Sequence, residues 1–244
     1  MAETRLFIDS DLPGEGGELE LPASVLAHLR ARRLRVGDPL RLFDGRGGEW
    51  RGELLSLERR QARARLLEPV AISVESPLRI TLVQGVSKGE RMDFAVQKAV
   101  ELGVHRILPA FTDHGVVSLD AERAARRAEH WRRVAISACE QCGRNVVPEV
   151  AVPRPLDELW PEFEALTVVI LDPGGSHRLD DIPAAGAFAL VVGPEGGLSE
   201  REHAMAVERG GLRLALGPRI LRTETAAIAA LTALQLARGD LGSL

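Results

Sequence analysis

Phe188-Ala189-Leu190-Val191-Val192-Gly193-Pro194-Glu195-Gly196-Gly197 is the stretch whose reading decides the fold. Five apolar residues in a row predict a strand buried on both faces, and the Gly-Pro-Glu-Gly-Gly bend that follows ends it. Ser199 to Arg209 beyond the bend has helical periodicity. A strand without a polar face belongs in a parallel sheet covered by helices on both sides.

The same pattern recurs to either side. Thr167 to Leu171 is a short apolar run ended by Asp172-Pro173-Gly174-Gly175-Ser176, and Leu212 to Leu216 runs into Gly217-Pro218-Arg219-Ile220-Leu221-Arg222-Thr223-Glu224-Thr225. Farther upstream, Leu78 to Val86 and His105 to Phe111 read as strands. Arg91 to Leu102 places Met92, Ala95, Val96, Ala99 and Val100 on one helical face, with Gly103 as the stop. Asp120 to Cys142 is a long helix with a basic face, Pro155 to Phe163 a short one, and Thr225 to Arg238 is apolar nearly all round, which predicts burial in the core or in a subunit interface. Strands alternating with helices predict an α/β fold with a mostly parallel sheet.

Residues 1–70 read differently: Arg5 to Ile8, Leu40 to Phe43, Glu49 to Leu57 and Gln61 to Leu67 are short strands, Pro22 to Ala31 is a single short helix, and Asp44-Gly45-Arg46-Gly47-Gly48 is a turn. That is the composition of a small β-barrel. Residues 71–77, ending at Pro77, read as a linker, and 78–244 as the second domain.

Bulk properties narrow the function. The chain has 244 residues and a formal net charge of -4, which taken alone disfavours a nucleic-acid partner. Distribution matters more: between Arg30 and Arg65 there are eleven Arg against five acidic residues, an excess of six positive charges. No apolar run reaches the roughly 18 residues of a membrane span. The opening Met1-Ala2-Glu3-Thr4-Arg5 has no signal-peptide pattern, so a cytoplasmic protein is expected. Cys139 and Cys142 form one C-x-x-C pair without a second pair or a suitable His pair, so they are expected to be inert thiols and no metal is expected. His28, His105, His177 and His203 show no ligand spacing.

In an open parallel sheet, ligands bind at the carboxyl ends of the strands, where the three Gly- and Pro-rich bends lie. The chain has neither G-x-x-x-x-G-K-[ST] nor a G-x-G-x-x-G after a strand, and the bends carry no Lys to hold a triphosphate. A ligand held by backbone amides against an apolar wall fits better, and adenosine with a sulfonium tail is such a ligand. Ile220 and Leu221, apolar yet within a loop, are suited to line an adenine pocket.

These motifs resemble the ribosomal RNA small-subunit methyltransferase E family. Gly193-Pro194-Glu195-Gly196-Gly197 and Leu216 to Ala226 carry the likeness, with Lys88-Gly89-Glu90-Arg91-Met92 through Val104, and His130-Trp131-Arg132-Arg133 through Arg144. Arg5-Leu6-Phe7 and His28-Leu29-Arg30 extend it into the first domain. Cys142, His130 and Thr112-Asp113-His114-Gly115 depart from the family pattern.

The resemblance implies a PUA-like RNA-binding barrel, a SPOUT domain with a trefoil knot, S-adenosylmethionine as cofactor, a homodimer, and methylation of N3 of one uridine in small-subunit ribosomal RNA. It implies that Leu171, Gly193, Pro194, Gly196, Gly197, Leu216, Gly217, Ile220, Leu221 and Thr223 hold the cofactor. Arg222 would orient the uracil, Glu195 would act as base or as electrostatic partner of the sulfonium, and Glu224 would brace Arg222 or cap a helix. Arg30, Gln141 and Arg144 would contact RNA. A ribose 2′-O-methyltransferase and a non-catalytic ribosome-assembly factor are the competing readings.

Overall fold

A computed structural model describes residues 3–242; the ends of the two ranges drawn above, residues 1–2 and 243–244, lie outside it. The described chain forms two compact units. One runs up to Glu75 and includes Cys139–Val147; the other comprises Ser76–Ala138 and continues from Pro148.

The first unit is a five-stranded sheet in the order β1-β3-β4-β5-β2: β1 (Thr4–Phe7), β2 (Glu18–Glu20), β3 (Pro39–Phe43), β4 (Glu49–Leu57) and β5 (Ala62–Pro69). β1 pairs parallel with β3, and the other pairings are antiparallel. Alternating residues send Leu40, Leu42, Leu54, Ala62, Ala64 and Leu66 to one side, where they meet Val25, Leu26 and Leu29 of α1 (Ala23–Ala31). β2, three residues long, is too short to show a period and was not expected from the sequence.

The second unit holds a seven-stranded parallel sheet. Its main path is β12-β10-β11-β6-β7-β8, with β9 also paired to β7. The strands are β6 (Arg79–Gly85), β7 (Arg106–Phe111), β8 (Glu149–Val150), β9 (Arg154–Pro155), β10 (Thr167–Leu171), β11 (Ala187–Val192) and β12 (Leu212–Leu214). The long apolar runs sit centrally, and β11 is buried over all but its first residue. The covering helices are α2 (Glu90–Glu101), α3 (Ala121–Cys142), α4 (Leu156–Leu159), α5 (Glu200–Glu208) and α6 (Thr223–Arg238). The α/β, mostly parallel architecture expected from strand–helix alternation is the one observed.

By contact, Cys139–Val147 at the end of α3 groups with the first sheet. Arg5 Nη1 donates to the Cys139 carbonyl at 2.5 Å and its Nη2 to the Arg144 carbonyl at 3.1 Å, while Glu140 accepts the Phe7 amide at 3.0 Å. Helical periodicity continues through α3 without a break, so nothing local marks this change of partner. In the single chain α6 is buried on one face only. Ala227, Ala230, Leu231, Leu234 and Gln235 are covered, but Ile228, Ala229, Thr232 and Ala233 are half-exposed and Leu236 is 55% exposed. The covered face includes one polar anchor: Gln235 Nε2 donates to the Leu102 carbonyl at 2.9 Å, and its Oε1 accepts from Ser76 Oγ at 2.8 Å.

Candidate active site at the glycine-rich bends

The three bends after β10, β11 and β12 converge on one cavity of about 620 Å³. Its size falls within the range of small-molecule sites. Of the residues expected to hold a cofactor, Leu171, Gly193, Pro194, Gly196, Gly197, Leu216, Ile220, Leu221 and Thr223 line it, as do Glu195 and Arg222. Gly217 lies in the same bend at φ +70, a conformation that favours glycine, but does not line the cavity. Ile220 is 85% exposed at the rim, so it does not plug a core. Arg30, Gln141 and Arg144 do not line the cavity, and all three belong to the first unit.

The bend after β11 needs glycine at Gly193 and Gly196 because its backbone passes where side chains would collide. A Cβ at Gly193 would lie 2.9 Å from the Gly197 carbonyl carbon and the Leu198 nitrogen, both backbone atoms that cannot swing aside. At Gly85, the end of β6, a Cβ would lie 2.5 Å from the Pro194 nitrogen. At Gly196 it would meet His114 Cβ at 3.0 Å, and the same histidine's Nδ1 lies 3.1 Å from the Gly196 carbonyl oxygen.

Thr223, at the start of α6, ties this bend to the sheet. Its hydroxyl donates to the Gly193 carbonyl at 2.6 Å and accepts from Gln84 Nε2 at 2.8 Å. Gln84 is buried within β6. Sequence reading missed it, although an amide directly after the apolar Leu82 and Val83 was the available signal.

Asp172, Arg213 and His203 were missed as a group. Asp172 is buried and accepts from the Gly174 amide at 2.8 Å and from Arg213 Nε at 2.6 Å; His203 Nδ1 stands 3.6 Å away, buried and without a hydrogen bond. Burial raises the Asp172 pKa, but the Gly174 amide, Arg213 and His203 outweigh it and hold the carboxyl below its ordinary value. Asp172 and His203 both line the cavity.

Glu195 also titrates low. Burial opposes this, but its own amide, the Arg91 guanidinium at 2.5 Å and the Lys88 amide at 3.2 Å prevail. An ion-paired carboxylate that resists protonation is a weak base and a good fixed negative charge. Arg222 and Arg219 are exposed at the rim and form no ion pair among the described residues. Glu224 does not brace Arg222; its Oε2 is buried without a hydrogen-bond partner.

Elsewhere, the residues expected to touch RNA divide. Arg144 is buried, with its guanidinium 2.6 Å from Glu75, so it is spent inside the first unit rather than presented at a surface. Arg30 bridges α1 to the β4–β5 turn by donating to the Glu58 and Arg59 carbonyls at 2.7 and 2.6 Å. Gln141 is exposed. Cys139 is buried and its thiol is pushed up to about 12 chiefly by that burial. Among the described residues no cluster of three or more metal-ligating side chains occurs, and no helix is long and apolar enough to cross a membrane.

Parallel strands with a cavity at their glycine-rich carboxyl ends, in one chain with a small five-stranded sheet, match two known families. Residues 74–235 match the family described as RNA methyltransferase domain, and residues 21–67 the one described as RNA methyltransferase PUA domain. The class is therefore that of RNA methyltransferases carrying a PUA-type module.

Within that class the likeness is closer still. Ribosomal RNA small subunit methyltransferase E of Buchnera aphidicola (subsp. Schizaphis graminum) is 36% identical over 86% of this chain and 86% of its own length. That of Bacillus subtilis is 32% identical over 85% of this chain and 87% of its own. The crystal structure of the Neisseria gonorrhoeae enzyme of that name, bound to S-adenosyl methionine, superposes with a TM-score of 0.94 at 41% identity, covering 98% of this chain and 99% of that one. The chain belongs to the ribosomal RNA small subunit methyltransferase E family.

Proposed function

We propose that this protein transfers a methyl group from S-adenosylmethionine to N3 of one uridine in small-subunit ribosomal RNA. The observation that carries the reading is the convergence of three glycine-rich bends on one cavity with an apolar wall and a backbone floor. The cavity suits the cofactor. Leu171, Leu214, Leu216 and Leu221 offer an adenine ring apolar contact, and Gly193, Gly196 and Gly197 let the ligand approach the backbone. His203 Nδ1, buried 3.6 Å from Asp172 and without a hydrogen bond, can hydrogen-bond a polar atom of the ligand. S-adenosylmethionine, when bound, supplies an electrophilic methyl on a sulfonium.

The chain's residues then orient and exclude. Glu195, held anionic by Arg91, gives the cavity a negative charge to oppose a sulfonium. Arg222, unpaired at the rim, steadies the negative charge that develops on uracil oxygens as N3–H is lost. The trefoil knot implied by the resemblance belongs to this proposal, as does a homodimer formed through the half-exposed face of α6 bearing Ile228 and Leu236. A ribosomal RNA substrate places the protein in the cytoplasm.

The RNA-binding role of the first unit rests on an exposed cationic group. Arg32 and Arg33 follow α1, Arg35 comes next, and Arg59 and Arg60 form the β4–β5 turn that Arg30 bridges to α1. Those five are exposed without an ion pair among the described residues. Arg33 sits at φ 56, an uncommon conformation for a residue other than glycine. Exposed, unpaired guanidinium groups are suited to phosphate contacts.

The deciding experiment is nucleoside mass spectrometry of small-subunit RNA from cells lacking this protein and after its restoration. 3-Methyluridine should vanish and return. Change in a ribose-methylated nucleoside would favour 2′-O transfer, and no change in any nucleoside would favour a non-catalytic assembly role.

A further inference from the structure

A second hollow adjoins the cavity. Asp93, Phe94 and Gln97 of α2 face Thr225 of α6 across a groove of about 570 Å³, and Arg91 and Glu224 line both the groove and the cavity. Phe94 is 45% exposed there. The carboxylates at this place differ. Asp93 is committed to α3, with His130 Nε2 2.7 Å from its Oδ2 and Trp131 Nε1 donating to its Oδ1 at 3.1 Å. Glu224 Oε2 is buried with no partner. A buried carboxylate oxygen left unpaired is costly unless a ligand's donor completes it.

We propose that this groove receives the target uracil, flipped from its stack, with its N3–H donating to Glu224 Oε2 at the junction with the cofactor cavity. The proposal rests on the function given above and adds the base-binding site and the proton acceptor. Phe94 offers an exposed ring on which a splayed base stacks. Uracil's pairing edge runs acceptor, donor, acceptor. The groove supplies the complement: the Arg91 guanidinium, the Glu224 carboxylate and the Thr225 hydroxyl. Cytosine would place its N3 lone pair against the carboxylate, so the same wall rejects it. In the transfer step the bond from N3 to the methyl carbon forms as the carbon–sulfur bond breaks. That bond's electron pair stays on sulfur, which becomes a neutral thioether, and the N3 proton passes to Glu224 and then to solvent. The positive sulfonium and the negative carboxylate are thus neutralised together.

Three measurements on the full-length protein test this, using unmodified small subunits and a small-subunit RNA transcript containing 4-thiouridine. Glu224→Gln is close to isosteric. It should slow single-turnover methylation by roughly 100-fold, with S-adenosylmethionine affinity by calorimetry within about threefold of wild type. Phe94→Ala, at an exposed position, should raise KM for the subunits about tenfold while kcat stays within about threefold. With S-adenosylhomocysteine bound, irradiation should crosslink the thiouridine at the target position to the tryptic peptide 92–98, a readout independent of turnover. Failure of the wild-type protein to methylate any nucleoside overturns the function and this site together. Methylation by wild type, with Glu224→Gln turning over at the wild-type rate or the crosslink falling outside α2 and the start of α6, overturns this site alone.

Discussion

Arginine on the strands of the first sheet and arginine at the rim of the cavity look alike in the sequence but differ in the structure. Arg41 pairs with Glu3 and Glu49, Arg51 with Glu68, Arg63 with Glu18, and Arg65 with Glu18 and Glu53; Arg46, in the β3–β4 turn, pairs with Asp11. Their fields are largely cancelled, and such exposed pairs add little stability. Arg219 and Arg222 at the cavity have no such partner among the described residues, and neither do Arg32, Arg33, Arg35, Arg59 and Arg60. Of the eleven arginines from Arg30 to Arg65, five are ion-paired, five are not, and Arg30 is spent on carbonyls. On the function proposed above, the unpaired guanidinium rather than the local count marks the binding surface.

The comparison can be broken at several points. The largest effect should come from the cavity's backbone rather than from any charge. Gly193→Val sets its side chain against fixed backbone atoms, and calorimetry should show S-adenosylmethionine affinity reduced at least about 100-fold, while RNA affinity of the first unit's surface is retained. Arg222→Ala should lower kcat by about 100-fold with cofactor affinity nearly unchanged; wild-type turnover would show that an unpaired rim arginine is not thereby functional.

Smaller effects are expected in the first unit. Arg59→Ala with Arg60→Ala should weaken RNA binding about tenfold and lessen the slope of log affinity against log salt by roughly 1.5 to 2, leaving kcat at saturating RNA intact. Arg63→Ala removes a guanidinium already paired with Glu18 and should change RNA affinity less than about twofold. An equal loss in both variants would erase the distinction between paired and unpaired arginine.

The smallest effect concerns an ion pair that does not line the cavity. The Asp113 carboxyl is lowered from 3.8 to about 2, chiefly by Arg201 and then by Ser199. A carboxyl lowered in the folded state adds stability that is complete above its unfolded value and lost as pH falls through the folded one. Arg201→Ala should therefore move the Asp113 pKa, followed by its carboxyl resonance, up toward 3.8 and flatten the stability profile between about pH 4 and 2.

Much of this site could be read before the fold was seen. Gly193 to Gly197 and Leu216 to Thr223 announced themselves because a strand-ending run of Gly and Pro has a local signature. Other parts had none. Thr223, Gln84 and Gly193 are joined by hydrogen bonds across 139 and 30 positions of chain. Asp172 and Arg213 meet across 41. Arg144 carries the same charge as Arg222, and only burial beside Glu75 shows that it is spoken for.

The sequence by itself determined the longer strands, the helices, the parallel character of the larger sheet and the places where the backbone must bend, because each follows from neighbours within one or two turns of chain; the two- and three-residue strands β2, β8 and β9 are too short to show a period. Tertiary structure alone decided that three bends share one cavity, that Cys139–Val147 sides with the first sheet, and which carboxylate is left with a bare oxygen. Those outcomes depend on desolvation and pairing between groups far apart in sequence, and local periodicity carries no record of either.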